Sequence, residues 1–242
     1  MPDESKSFPA AAASTGAGAS TLPPVEIRVR AVGTDSNWRR RLTWAQLAFA
    51  FLFVECAVWA ARLSVRSRWA VAASILVALL AFVDMPSFER LGLGIPTRRG
   101  TVVTVGFGVA LAGMMIGATH LVGGQIPANP AFPNWNMAWK YVLWALLQEF
   151  LLQSFFFTRC EELFGSTRAV WIAGTLFALA HLPNMILTSC TLFSGLMFCE
   201  LFRRYRNIYS LGVVHAMLGL TLSSTVPEGL LQHMRVGIGY LQ

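Results

Sequence analysis

The chain has 242 residues, of which 55% are hydrophobic and only 13% charged, against roughly 25% charged in ordinary soluble domains. With a mean hydropathy of +0.55, most of its surface must face something other than water, which excludes an ordinary soluble enzyme. The net charge of +7 does not indicate nucleic acid, because the arginines fall in short clusters between apolar runs rather than along one face.

Residues 1–41 are polar and rich in Ala, Ser, Gly and Pro, and are expected to form a disordered cytoplasmic tail without a cleavable signal. Residues 42–242 then read as an all-α, polytopic transmembrane helix bundle of about seven helices. Several apolar runs approach the ~20 residues needed to cross ~30 Å of hydrocarbon. The expected spans are Leu42–Ala61, Trp69–Val83, Thr101–Val122, Met137–Phe157, Arg168–His181, Met185–Phe202 and Ile208–Val226. The second and fifth are short, so either the bilayer is thinned there or their ends lie inside the protein, where neighbours satisfy loose backbone groups.

Orientation follows from the excess of Lys and Arg in cytoplasmic loops. With the N-terminus inside, the inner segments hold Arg39, Arg40, Arg41, Arg90, Arg98, Arg99, Arg159, Arg168, Arg203, Arg204 and Arg206. The outer segments hold only Arg62, Arg66, Arg68 and Arg235, with Lys140 at the outer end of the fourth span. The expectation is an integral membrane protein of a bacterial inner membrane, with a cytoplasmic N-terminus and lipid as its main partner. The outer loop 123–136 carries three prolines and leads to Trp135 and Trp139, whose rings suit the membrane interface. Cys56, Cys160, Cys190 and Cys199 lie in or beside apolar runs without CxxC spacing and read as buried free thiols.

An ionisable side chain at membrane depth costs a few kcal/mol even on the lenient insertion scale, so each one is a functional candidate. Glu149 lies in the fourth span between Gln148 and Gln153, His181 closes the fifth, and His215 sits in the seventh. At ~1.5 Å per residue from the cytoplasmic ends, Glu149 lies ~12 Å deep and His215 ~10 Å, so they can meet. His181 comes out at ~20 Å on a straight helix, but a tilted helix ending before Pro183 brings it level. Glu149 and Gln153 share a face, as do Phe177 and His181. A carboxylate and two imidazoles with little water around them suit activation of water and stabilisation of an oxyanion. Taken singly, each could equally be a satisfied interhelical hydrogen bond. Glu55, deep in the first span, is a weaker candidate. Asp84 and Glu200 fall near cytoplasmic ends, His120 and His233 near or beyond outer ends, and Glu161 and Glu162 read as a charged interfacial turn.

These residues resemble a family, the CAAX prenyl protease and bacteriocin-processing (CPBP or Abi) family of intramembrane endopeptidases. Its members carry E-E-x-x-x-R, then F-x-x-x-H, then H-x-x-x-N on successive helices. The counterparts here are Gln148-Glu149-Phe150-Leu151-Leu152-Gln153, Phe177-Ala178-Leu179-Ala180-His181 and His215-Ala216-Met217-Leu218-Gly219. The Phe164-Gly165 pair, Leu-Pro-Asn after His181 and Leu-Gly-Leu-Gly at 91–94 are similar too, so the resemblance spans about 85–226. It implies that the first glutamate of the pair, whose position Gln148 occupies here, activates water with the first histidine, and that the later histidine and asparagine stabilise the oxyanion. The chain departs from the pattern at Gln148, Gln153 and Gly219, and a glutamine amide cannot serve as a general base.

Either Glu149 has taken over the base's role, or the chain is a diverged member without proteolysis. On the first alternative Glu149 and His181 activate water, His215 stabilises the oxyanion, Gln148 and Gln153 orient their neighbours, and Asn184 substitutes for the missing donor. The substrate would be a peptide or membrane protein cleaved near the membrane surface. No cofactor is required, although two His and one Glu could bind zinc. The competing classes are a pseudoprotease that binds partners through the same cavity and a small transporter using Glu149 and the histidines as a proton relay.

Overall fold

The computed structural model describes residues 32–60, 62–83, 86–122 and 135–242. Every regular element among them is helical. In chain order they are α1 (Val32–Trp59), α2 (Leu63–Phe82), α3 (Arg98–Leu121), α4 (Trp135–Glu149), a π-helical stretch Phe150–Phe157, α5 (Thr158–Phe164), α6 (Ser166–Leu179), α7 (Met185–Tyr205), α8 (Ile208–Thr225), α9 (Glu228–Leu231) and two short 3-10 helices, Gln232–Met234 and Gly237–Tyr240. Among the described residues, six segments are long and apolar enough to cross a membrane: Asn37–Trp59, Ser64–Phe82, Arg98–Leu121, Ala138–Phe164, Met185–Tyr205 and Ile208–Thr225. Their outward faces are apolar, with Val71, Leu79, Val102, Met114 and Met185 each at least 60% exposed. Such a surface suits lipid and would associate in water. The chain is an integral membrane protein.

Three boundaries differ from the sequence expectation. Helix α1 starts at Val32, ten residues before Leu42, while residues 1–31 of the expected tail lie outside the described residues. Helix α2 starts at Leu63 and has 20 residues, so the second span is not short. Its first turns contain Arg66 and Arg68, long side chains that a helix end tolerates by reaching for polar surroundings. The fourth span does not stop at Phe157 but runs on through Arg159, Glu161 and Glu162 to Phe164. Asp84 and most of the 123–136 loop lie outside the described residues.

Helix α6 remains short at 14 residues, about 21 Å at 1.5 Å per residue. Its last turn continues as His181–Asn184, whose backbone groups find partners within the protein. His181 N–H donates to Ala178 O, Leu182 N–H to Leu179 O, and Gly237 N–H to Leu182 O. The expected fifth span is thus a 14-residue helix followed by a turn, packed on the 21 residues of α7, and is not among the six segments long and apolar enough to cross a membrane. Gly174 and Gly195 make this approach close, since a Cβ on Gly195 would stand 3.3 Å from the Gly174 carbonyl oxygen. Small residues at helix contacts are how membrane helices gain packing where lipid removes the hydrophobic drive. The same logic places Gly100, Thr104, Gly108 and Ala112, four residues apart, on the buried stripe of α3.

Polar side chains start three helices. Thr97, Asn184 and Asn207 accept from the N–H groups of Gly100, Leu187 and Ser210 at 3.1–3.2 Å, satisfying donors that the first helical turn leaves open. Inside, Phe155, Phe157, Phe198 and Phe202 are fully buried and join the π-helical stretch to α7. At the α5 end, Arg159 reaches Glu162 at 3.1 Å and the Leu80 carbonyl at 2.8 Å, and Glu162 also takes Arg90 at 2.8 Å. Arg206 meets Glu161 at 2.6 Å.

At the opposite end, residues 227–242 fold back over the bundle. Asn184 Nδ2 donates to the carbonyls of Leu231 and Arg235 at 2.9 and 3.3 Å. Gly237 adopts φ +57 and lies directly on the Val58 carbonyl, a fit that any Cβ would abolish.

Candidate active site

Glu149 ends α4 immediately before the helix widens into its π-helical stretch, a local irregularity that often accompanies functional sites. Its carboxylate is fully buried. Oε1 accepts from His215 Nδ1 of α8 at 2.8 Å, and Oε2 accepts from Gln153 Nε2 at 3.1 Å. An ionised carboxylate accepts and cannot donate, so facing ionised Glu149 the neutral His215 ring carries its proton on Nδ1. Its Nε2 has no protein partner among the described residues.

His181 is held differently. Its Nδ1 lies 2.7 Å from the Phe177 carbonyl oxygen one turn earlier, an acceptor only, so the neutral ring leaves its Nε2 unprotonated. The Phe177 ring packs against both histidines, with centroids 4.8 Å from His181 and 5.9 Å from His215. Both imidazoles line one cavity of about 920 Å³, walled mainly by apolar side chains of α1, α2, α3, α4, α6, α7 and α8. Gln148, Tyr141 and Gly219 line it too, and the C-terminal segment covers part of it with His233, Met234 and Val236.

Sequence reasoning brought Glu149, His181 and His215 together by depth, and the bundle places them around this centre. It does not separate a residue facing the cavity from one behind it. Gln148 faces the cavity, whereas the Glu149 carboxylate sits behind His215 with both oxygens engaged. Gln153 supports Glu149 from the adjacent turn. Asn184, expected to supply an oxyanion donor, uses its oxygen on the α7 N-terminus and its amide on Leu231 and Arg235. It ties down the C-terminal segment.

The remaining candidates lie elsewhere. Glu55 accepts from Trp59 of its own helix at 3.0 Å, Glu200 binds Arg203 and Arg204, and Glu161 and Glu162 belong to the arginine end. His120 is exposed and His233 pairs with Glu228. All four cysteines are free, with Cys160 and Cys199 buried. Among the described residues, no three His, Cys, Asp or Glu side chains are placed to share a metal ion. Tyr141 was missed by sequence reasoning, since nothing in a single tyrosine near a helix start marks it as part of a site.

This constellation is carried by α4 to α8. Residues 130–221 match the family model described as Rce1-like, type II CAAX prenyl endopeptidase Rce1-like. No curated protein and no solved structure matches the chain. Helices α1, α2 and α3 and the C-terminal segment lie outside the matched residues, which hold Tyr141, Gln148, Glu149, Gln153, His181, Asn184, His215 and Gly219. Over these 92 residues, less than half of its length, the chain is similar to the type II CAAX prenyl endopeptidases of the Rce1-like family.

Proposed function

We propose that the chain is an intramembrane endopeptidase whose working base is the Glu149–His215 pair, with His181 holding the attacking water beside it. The observation that carries this reading is the 2.8 Å contact of Glu149 Oε1 with His215 Nδ1, on the wall of a cavity that His181 also lines. A buried carboxylate behind an imidazole holds the tautomer whose Nε2 can take a proton and stabilises the imidazolium that forms. The Phe177 carbonyl offers His181 only a neutral dipole. Glu149 therefore acts through His215, whose ring it orients, rather than on water directly.

In the reaction, the water oxygen bonds to the scissile carbonyl carbon and its proton passes to His215 Nε2. The carbonyl oxygen becomes an oxyanion. On collapse the C–N bond breaks and His215 returns the proton to the leaving nitrogen, giving a carboxyl and an amine. A positioned base of this kind contributes about 10²–10⁴-fold. The apolar wall of the cavity suits an apolar peptide segment or a lipid-bearing one. An inside N-terminus and outside C-terminus accompany this reading. Reporter fusions at the two ends would refute that topology by reporting the same side.

To test it, purified protein in detergent is incubated with a membrane proteome and new peptide termini are sought. The expectation is a set of termini absent from His215→Ala and His181→Ala controls; an identical set in all three samples overturns the reading. A second reading, a pseudoprotease, draws on Gln148, an amide facing the cavity where the family pattern has a carboxylate. It wins if wild type and Gln148→Glu both fail to cleave.

A further inference from the structure

We propose that the Tyr141 hydroxyl is the donor that stabilises the oxyanion in this cavity, seated there by the absence of a side chain at Gly219. The inference rests on the hydrolytic reading above and names a catalytic residue that reading leaves unassigned.

Tyr141 and Gln148 are seven residues apart on α4, two helical turns, and therefore share a face; both line the cavity. His215 and Gly219 are one turn apart on α8 and line it as well. The two helices pack closely through glycines: a Cβ on Gly212 would overlap the Leu146 side chain, and one on Gly219 would overlap the Tyr141 hydroxyl itself. The phenol oxygen thus occupies the place of a residue-219 side chain. Residues one turn apart on a helix have Cβ atoms about 5–6 Å from each other, so the hydroxyl stands beside the His215 ring.

Among the described residues the Tyr141 hydroxyl has no hydrogen-bond partner, although the hydroxyls of Thr119, Thr158, Thr191 and Thr221 all donate to backbone carbonyls. Tyr141 is half-buried and lines the cavity, so a hydroxyl left open on this largely apolar wall is free to meet a ligand group. Being both donor and acceptor, a phenol can give its proton to a developing negative charge. Other donors of this region are placed for different tasks. Asn184 is spent on Leu231 and Arg235, and Arg66, which also lines the cavity, turns its guanidinium to the Ala60 carbonyl after α1 and to Gly239 of the covering segment. The Gln148 amide, on the same face of α4, is the natural second donor.

A donor aimed at charge that exists only in the transition state changes kcat and leaves KM alone. The test uses a fluorogenic peptide carrying a cleavage site found in the proteome experiment, with wild type and Tyr141→Phe purified side by side and their thermal midpoints measured in the same detergent. The expected result is a loss of about 100-fold in kcat, the usual scale for one oxyanion donor, at unchanged KM and midpoint. Cleavage by Tyr141→Phe at the wild-type rate overturns the inference and leaves the Glu149–His215 reading standing. A rise in KM, or a fall in midpoint that accounts for the lost activity, makes Tyr141 a packing residue and also overturns it. Absence of cleavage by wild type removes the hydrolytic reading and this inference with it.

Discussion

Two polar centres are built into this apolar bundle, and they end differently. At the α5 end, Arg159, Glu162 and Arg90 form a chain closed by the Leu80 carbonyl, with Arg206 and Glu161 beside it. Its charges are answered by opposite charges and backbone. The centre around Glu149 starts in the same way, with a buried carboxylate answered by His215 and Gln153, and then stops. His215 Nε2, the Gln148 amide and the Tyr141 hydroxyl face a cavity without protein partners among the described residues. A closed network holds helices together, whereas an open one costs stability and is retained where something must bind or react.

Mutations should divide along that line. The largest expected effect is at the open centre, where His215→Ala should lower cleavage by about 10³-fold with the protein still folded, as judged by size-exclusion profile and thermal midpoint. Retained cleavage would make His215 a structural partner of Glu149. At the closed centre, Arg159→Ala should do the reverse. Its side chain is only 5% exposed against 29% for Glu162, and Glu162 keeps Arg90, so roughly 2–3 kcal/mol of stability should go, less than for a fully buried pair. Cleavage per folded molecule should hold, and a kinetic loss larger than the folded fraction explains would erase the distinction between the two centres.

A smaller effect is expected where Asn184 caps α7 and ties down the C-terminal segment. Asn184→Ala should cost about 1–2 kcal/mol as a lost cap and loosen the covering residues. Cys190 lines the cavity and packs in the cluster that contains Met234 and Val236. In a background with the other three cysteines replaced, its reaction with a maleimide should therefore speed up several-fold in Asn184→Ala. Unchanged labelling would mean that the segment is held without Asn184.

The two centres also differ in how far they could be read in the sequence. Spans follow from apolar runs, and the meeting of Glu149 with His215 follows from counting helical rise along two antiparallel helices. The Glu149–Gln153 and Phe177–His181 relations are local and follow from the helical period. What was not legible depends on contacts far apart in the chain or on backbone detail. No composition marks Phe150–Phe157 as π-helical, and adjacent residues of that helix, Gln148 and Glu149, divide between cavity and interior according to helix rotation. Gly219 reads as a departure from the family pattern until Tyr141, 78 residues earlier, is seen lying against it. Asn184, polar and beside His181, looks catalytic in sequence because the C-terminal residues that occupy it lie about 50 positions away. The starts of α1 and α2 were misplaced because arginines read as loop, although helix ends accommodate them.

The central claim is that Glu149 works through His215 and not on water. Single-turnover cleavage of one peptide by wild type, Glu149→Gln, His215→Ala and the double variant tests it most directly, since residues that act as a unit are non-additive. The account predicts that the double variant is no slower than His215→Ala alone. Losses that multiply, with the double variant slower than either single one by the full product, would contradict it and return Glu149 to an independent role.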